Sequence, residues 1–321
     1  MRVLITGAAG FIGSSLAKRA VAEGYSVVGV DNLITGNREN LASIASQIEF
    51  HVADIRDQER MRELCRGVDV IFHEAALPSV PKSVVDPLTS HQHNVEGTVS
   101  LLLAAREQQV KRVVYAASSS AYGESPILPK HEEMLPAPIS PYAVQKLTGE
   151  YYMQSFQRVY GMETVCLRYF NVFGPFQAAD SPYSGVLAKF ITELLQGRPP
   201  VIYGDGYQSR DFTYIDNVVE GNFLAASAPA ERVSGKVYNL ACGEQHSLLD
   251  TFRILAGMTG YSGEPQFGPP RNGDILHSLA DIQRIQRDMG YQPAVDFREG
   301  LRRTVAWYAE SLGIPTPLST Q

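Results

Sequence analysis

Residues 1–13, MRVLITGAAGFIG, constrain the fold more than any other stretch. Arg2-Val3-Leu4-Ile5 is a short run of strand formers. Gly7, Gly10 and Gly13 then punctuate a turn, and SSLAKRAVAEG carries a helical pattern. Gly7 can turn tightly with positive φ, Gly10 lets the backbone approach a diphosphate, and Gly13 lets the helix sit close to the sheet. Unpaired N–H groups at the helix start face such a phosphate. The spacing is GxxGxxG rather than GxGxxG, and an ordinary strand–turn–helix with small residues has the same local pattern.

The next apolar run, Tyr25 to Val30, ends in Asp31. A carboxylate about 20 residues beyond the turn accepts both hydroxyls of an adenosine ribose and repels a 2′-phosphate, which favours NAD over NADP. Asp54-Ile55 follows the third strand. It reads equally well as an adenine contact, with isoleucine against the ring, or as a turn aspartate followed by a core residue.

Candidate strands at 2–6, 26–30, 48–52, 69–72, 111–117 and 163–168 alternate with helical patterns near 11–23, 37–45, 57–66, 92–109 and 142–160. This predicts an α/β fold: a doubly wound, mostly parallel sheet with helices on both faces and ligands beyond the C-terminal strand ends. After residue 170 the rhythm changes, with a helical segment near 184–196, a strand at 201–203 and helices near 247–258, 279–288 and 296–311. The expected division is a large lobe of 1–171, to which 213–234 return, a smaller discontinuous lobe of 172–212 and 235–312, and a tail at 313–321.

Twenty-eight basic against 34 acidic residues give a formal charge of -6, which argues against general nucleic-acid binding. Cys65, Cys166 and Cys242 form no metal-spaced cluster and read as buried thiols in a reducing compartment, with no metal expected. No apolar run reaches membrane-spanning length, so a soluble, cytoplasmic protein with no membrane partner is expected. Helices 92–109 and 142–160 carry apolar faces (Val95, Val99, Leu102, Leu103; Val144, Tyr151, Tyr152) that suit either a homodimer or burial within the chain.

The chemistry concentrates in SPYAVQK, Ser140 to Lys146. Tyr142 and Lys146 stand at i and i+4, on one helix face. An ammonium beside a phenol lowers the phenol's pKa, and a phenolate can take the proton of a sugar hydroxyl while hydride leaves the same carbon. YxxxK alone is common by chance; behind a dinucleotide-binding opening it is much more specific. Ser118, at the end of the fifth strand, is the hydroxyl placed to meet both substrate and Tyr142. Ser119 and Ser120 are less specific.

Taken together, GAAGFIG, Asp31-Asn32, Asp54-Ile55, HEAA at 73–76, the serine run, Tyr142/Lys146, LRYFNVFGP, GDGYQSRDFTYIDN and RNGD resemble the extended short-chain dehydrogenase/reductase family from Met1 to about residue 312. Within it, the chain is most similar to the nucleotide-sugar 4-epimerases, in particular the bacterial UDP-N-acetylglucosamine and UDP-glucose 4-epimerases. The resemblance implies a Rossmann domain with tightly bound NAD, a smaller substrate domain, a UDP-sugar substrate and a homodimer. It places Gly7, Gly10, Phe11, Ile12 and Gly13 at the NAD diphosphate, and Asp31 and Asn32 at the adenosine ribose. Asp54 and Ile55 fall to the adenine, while Ala75, Ala76 and Tyr169 lie beside the cofactor and Asn94 braces the active-site backbone.

The same resemblance makes Tyr142 the acid/base, Lys146 its electrostatic partner and ribose contact, and Ser118 the hydroxyl helper. Asn171 contacts the sugar nucleotide, and Arg210 and Arg271 grip its diphosphate by bidentate bonds. Salt bridges of these arginines with Asp211 and Asp274 are the alternative reading. Ser79, Ser83 and Ser119 are expected in the sugar pocket. Ser278, in HSLAD, replaces a larger aromatic and leaves room for an N-acetyl group; as a helix N-cap it would have another role. Glu74 is a departure, since many relatives carry leucine or glutamine there.

The expected reaction is C4 inversion of UDP-GlcNAc to UDP-GalNAc, extending to UDP-Glc and UDP-Gal. A uronic-acid 4-epimerase is the rival. A 4,6-dehydratase or decarboxylase is less well matched, because the dehydratases' Asp-Glu is here Ser119-Ser120 and the decarboxylases' glutamate is absent. A cofactor-binding regulator would keep the glycines but need not keep Tyr142, Lys146 and Ser118.

Overall fold

Val3, Leu4 and Ile5 are fully buried, so both faces of the first strand must be covered. The computed structural model, which describes residues 1–179, 185–270 and 276–315, makes that strand an interior member of a seven-stranded sheet. β1 (Arg2–Thr6) lies between β2 (Ser26–Asp31) and β4 (Val70–His73). With β3 (Ile48–Val52), β5 (Arg112–Ser118), β6 (Glu163–Tyr169) and β7 (Lys236–Leu240), the order is β7-β6-β5-β4-β1-β2-β3, every pairing parallel. The order reverses between β1 and β4, which opens a crevice above the glycine turn.

β1 to β6 match the expected strands to within one residue at each end. Residues 236–240 do not follow the expected division. Placed with the smaller lobe from sequence, they pair with β6 and extend the large sheet. β7 is an edge strand, and the segment after β5 covers its open side. Asn239 N–H donates to Glu132 Oε1 at 2.8 Å, and Asn239 Nδ2 donates to the Lys130 carbonyl at 2.8 Å. These contacts occupy groups that an edge otherwise offers to other chains.

The principal helices are α1 (Phe11–Ala22), α2 (Gln58–Leu64), α3 (Gly97–Glu107), α4 (Pro141–Tyr160), α5 (Val186–Leu195), α6 (Ile215–Ser227), α7 (Leu248–Thr259), α8 (Gln283–Met289) and α9 (Phe297–Ser311). Leu16, Ala17, Val218 and Phe223 of α1 and α6 pack on the Val3/Ile5 face. Met61, Leu102 and Met153 of α2, α3 and α4 pack on the Leu4 face. In the smaller lobe Phe173, Phe212 and Phe297 cluster, with the Phe212 and Phe297 rings stacked at 5.3 Å.

Some expected helices change form. The 37–45 segment is a 3-10 turn, Arg38–Ile44. The 92–109 helix begins with a π turn, Gln92–Glu96, before α3. The 279–288 helix starts only at Gln283, where the Asp281 carboxylate accepts the Gln283 N–H at 2.8 Å. α4 has strong end signals: Ser140 accepts the Ala143 N–H at 3.2 Å, Pro141 opens the first turn, and Gly161 ends it at φ +69.

A Cβ on Gly13 would stand 2.1 Å from the Gly7 carbonyl oxygen, whereas one on Gly257, in α7, meets nothing within 4 Å. Gly13→Ala is expected to destabilise the chain by about 1–3 kcal/mol. Gly257→Ala is expected to stabilise it by roughly 0.5–1 kcal/mol. Urea denaturation of the two variants checks the sign of each; equal effects would contradict the close approach at residue 13.

Candidate active site

At the end of β1 the chain must turn beneath its neighbour. Gly7 does so at φ +67, and a Cβ there would lie 2.9 Å from the Ala75 nitrogen beyond β4. Gly10 caps α1 without any side-chain hydrogen bond. The N–H groups of the first turn, which carries Phe11, Ile12 and Gly13, are therefore available to an anion. At the end of β2 the Asp31 carboxylate accepts from Ala9 N–H at 3.0 Å and Leu33 N–H at 2.8 Å. Burial pushes its pKa up while these N–H groups hold it down. Two bonds leave acceptor capacity on an ionised carboxylate. A bare glycine turn, an uncapped helix start and a carboxylate one strand away fit the diphosphate and ribose of a dinucleotide.

The next two expected contacts have other work. Asn32 Nδ2 donates to Asp54 Oδ2 at 3.0 Å, and Arg56 binds the same carboxylate through Nε at 2.9 Å and Nη2 at 2.8 Å. With the Arg56 N–H also bound at 2.9 Å, Asp54 is saturated. Ile55 is buried in the core against Gly97. The turn-and-core reading of this pair matches these contacts better than the adenine reading.

α4 and the end of β5 bring Tyr142, Lys146 and Ser118 together. The Ser118 hydroxyl is close enough to the Tyr142 phenol to favour its ionised form. Lys146 Nζ donates to the Ala116 carbonyl at 2.7 Å and lies 4.9 Å from the Tyr115 ring centroid. Ser118 Oγ also accepts from Ser120 N–H at 3.2 Å and Ser120 Oγ at 2.8 Å; Ser119 begins the short turn beside it. The expected lowering of the phenol's pKa is not found in the chain alone. Burial pushes Tyr142 up to about 12, opposed by the Ser118 hydroxyl and reinforced by Glu74. Burial lowers Lys146, while Glu74 and Glu150 support its charge.

Below this group lies a buried polar frame. Asn94, in the π turn, accepts the Leu77 N–H at 2.7 Å and donates to Gln145 Oε1 of α4 at 2.9 Å, which ties the segment after β4 to α4. Ala75 N–H donates to Thr6 Oγ1 at 3.1 Å, and Thr6 Oγ1 meets His73 Nδ1 at 2.8 Å. His73 Nε2 meets Thr98 Oγ1 at 2.9 Å, which donates to the Asn94 carbonyl at 2.7 Å. With each hydroxyl donating once, the ring carries its proton on Nε2. Burial drives His73 down to about 3, so it is neutral. Ala76 lies just beyond this frame and is partly exposed.

Ser79 and Ser83 are both bonded to backbone. The Ser79 hydroxyl accepts the Lys82 N–H at 3.2 Å, and the Ser83 hydroxyl accepts the Tyr142 N–H at 3.1 Å while donating to the Val80 carbonyl at 2.7 Å. Ser83 is fully buried and steadies the backbone of Tyr142 rather than lining a pocket.

On the substrate side, Asn171 adopts φ +28 and donates to the Asp211 carbonyl at 3.3 Å. Arg210 Nη1 donates to the Ser209 carbonyl at 3.0 Å and the Leu276 carbonyl at 3.2 Å. Asp211 is fully buried, and its carboxylate accepts N–H groups of Cys242 and Gly243, each at 3.0 Å, and of Ala280 at 3.2 Å. It is an anchor, not a surface salt-bridge acid. Ser278 is buried, and its N–H donates to the Ser209 carbonyl at 3.1 Å. Because α8 begins at Gln283, Ser278 is not its N-cap. Arg271 and Asp274 lie outside the described residues. Tyr169 Oη donates to Glu74 Oε1 at 2.8 Å and accepts from Asn222 Nδ2 at 2.8 Å.

Sequence reasoning missed Thr6, Thr98, Gln145 and Asn222, and it did not see the anchoring by Asp211. HEAA and RDF drew attention to His73 and Asp211, but only pairing across strands reveals their partners.

The model of the NAD dependent epimerase/dehydratase family matches residues 3–241. The chain is 41% identical over 312 residues to the UDP-glucose 4-epimerase of Mycolicibacterium smegmatis, covering 96% of this chain and 98% of that one. The solved UDP-N-acetylglucosamine 4-epimerase of Methanobrevibacter ruminantium, in complex with UDP-N-acetylmuramic acid, superposes with a TM-score of 0.92 at 38% identity, covering 97% and 98% of the two chains. The UDP-glucuronic acid 4-epimerase of Bacillus cereus, in complex with UDP-glucuronic acid and NAD, does so with a TM-score of 0.89 at 32% identity, covering 97% and 100%. No helix among the described residues is long and apolar enough to cross a membrane. The chain belongs to the NAD-dependent epimerase/dehydratase family.

Proposed function

We propose that this enzyme is a UDP-N-acetylglucosamine 4-epimerase, interconverting UDP-GlcNAc and UDP-GalNAc and also accepting UDP-Glc and UDP-Gal. The observation that carries this reading is that the first turns of α4 set Tyr142 and Lys146 against the end of β5, where Lys146 Nζ holds the Ala116 carbonyl and the Ser118 hydroxyl acts on the Tyr142 phenol. When bound, NAD supplies the acceptor and donor of hydride and a positive ring charge. Gly7, Gly10 and the first turn of α1 hold its diphosphate, and Asp31 holds its ribose.

In this reading Tyr142 takes the proton of the sugar's 4-hydroxyl as hydride leaves C4. Ser118, beside the phenol, shares the reacting oxygen and steadies the charge that develops there. Lys146, held on the Ala116 carbonyl, keeps an ammonium near a phenol that burial would otherwise leave protonated. Arg210 and Arg271 retain the diphosphate while the flat 4-keto sugar turns about its bond to it. Tyr142 then returns the proton to O4 as hydride comes back to the other face of C4, which gives the opposite epimer. The residues beside Ser118 favour epimerisation over dehydration, because Ser119 and Ser120 supply neither a strong acid nor a strong base.

The test is to incubate the purified enzyme, without added NAD, with UDP-GlcNAc, UDP-Glc and UDP-glucuronic acid separately and to resolve the product sugars. Tyr142→Phe is expected to lower kcat by about 10²–10⁴-fold with bound NAD unchanged. Turnover of UDP-glucuronic acid alone would replace the substrate assignment; undiminished turnover by the variant would remove Tyr142 from the reaction.

Ser278 carries the acetamido preference, as a small buried residue on the segment that runs beside Ser209 and Arg210. Ser278→Tyr is expected to lower kcat/KM for UDP-GlcNAc by at least tenfold more than for UDP-Glc, about 1.4 kcal/mol of discrimination. An equal loss on both sugars counts against this assignment.

A homodimer also belongs to this reading. Val95 and Leu102 are buried in the chain's own core, but α4 exposes 48% of Val144, 55% of Tyr151 and 37% of Tyr152, and Val85 and Leu88 are exposed on the helical segments that pack against α4. Such a strip fits a second copy of the same chain. Sedimentation is expected to give a dimer for the native enzyme and a monomer for Tyr151→Glu; a native monomer would end the assignment.

A further inference from the structure

Glu74 is the charged group at the heart of the site that the proposed reaction does not use. It is the first residue beyond β4, and its carbonyl carbon lies 3.0 Å from where a Cβ on Gly7 would stand. Its side chain is on the face of the sheet that α6 covers. There Asn222 Nδ2 donates to Tyr169 Oη at 2.8 Å, and Tyr169 Oη donates to Glu74 Oε1 at 2.8 Å. Asn222 is fully buried; its amide nitrogen also donates to the Val218 carbonyl at 2.8 Å, and its Oδ1 stands 3.0 Å from Tyr169 Oη as a second acceptor for that hydroxyl. The Tyr169 hydroxyl, where it donates to Glu74, favours the carboxylate. Glu74 is partly exposed although protein surrounds it, as expected for a side chain at the wall of a cleft.

We propose that Glu74 sets the charge of the dinucleotide site, its carboxylate favouring the oxidised, positively charged form of NAD over the reduced, neutral one. The groups that face it are Lys146 and Tyr142 of α4, Tyr115 of β5, Tyr169 of β6 and Asn222 of α6. Lys146 is the one cation among them, and it is already bound to the Ala116 carbonyl. A carboxylate that feels the Lys146 charge offsets part of that ammonium, so a second positive charge can enter the same crevice. In a reaction that takes hydride and gives it back, such a bias holds the resting enzyme in the form that can begin a turnover.

The dependence on pH has a definite sign. Burial raises the Glu74 pKa, and the Tyr169 bond and Lys146 lower it. The carboxylate forms as pH rises, so the preference for NAD⁺ grows with pH and fades in acid. Lys146, lowered by burial, loses charge in the same direction, so a variant is needed to separate the two. Tyr115 and Tyr169 are held well above their usual range and do not titrate between pH 6 and 9. His73 stays neutral throughout.

The inference rests on the dinucleotide site and not on the choice of sugar. The full chain, freed of bound nucleotide, is titrated calorimetrically with NAD⁺ and with NADH at pH 6 and 8.5. The native chain is expected to favour NAD⁺ more strongly at pH 8.5. Glu74→Gln is expected to lower the NAD⁺/NADH affinity ratio at pH 8.5 by about tenfold, as loss of one nearby charge implies at a protein-like dielectric. Glu74→Asp is expected to keep most of that ratio. An unchanged ratio in Glu74→Gln overturns the proposal. Should that variant not fold, Tyr169→Phe takes its place: removing the hydroxyl that favours the carboxylate must move the midpoint of the native pH dependence upward, and an unmoved midpoint overturns the proposal. A native chain that binds neither dinucleotide would instead sink the assignment of the cofactor site.

Discussion

Everything at the C-terminal edge of the sheet depends on how closely backbone approaches backbone at the end of β1. Gly7 leaves no room for a side chain beneath Ala75, and Gly13 leaves none above the Gly7 carbonyl. That contact fixes the start of α1, the end of β4 and hence the positions of Glu74 and the Thr6–His73–Thr98 chain. Close packing of this kind is felt at the level of one methyl group. The geometry of the crevice is thus set before any ligand arrives.

α4 is the second organising element, and it works on two fronts. Its inner face holds Tyr142 and Lys146 against β5, while its outer face presents Val144 and Tyr151 to solvent. Ser83 and Asn94, through Gln145, fasten its first turns to the segment after β4. A π turn stands where Asn94 must reach both Leu77 and α4, in keeping with the frequent use of such turns at functional sites. The apolar outer face and the reactive inner face share one rigid rod.

Much of this was legible in the sequence, for physical reasons. β1 to β6 alternate with helix-length segments, so period and length agreed. The i, i+4 spacing of Tyr142 and Lys146 survives any detail of packing, and Ser118 follows from where β5 ends. What was not legible depends on long-range partners. β7 is a five-residue strand in a region where the alternation has lapsed, and only its pairing with β6 identifies it. Ser79 and Ser83 were read as pocket residues because hydroxyls near a ligand site look alike until their backbone partners are known. The acidity of Tyr142 was not legible for a related reason: spacing puts Tyr142 and Lys146 on one helix face, but burial of the phenol sets its acidity while the ammonium is held by the Ala116 carbonyl.

The Asp211 anchor has one further consequence. It holds the end of β7 and the segment at Ala280 through three main-chain N–H groups and makes no demand on the side chains that carry them. Evolution can therefore exchange residues on either side of the seam, Cys242 among them, while the ends of the two lobes stay in register. A family built on such a staple can diversify what its smaller lobe recognises without first re-engineering how that lobe is attached.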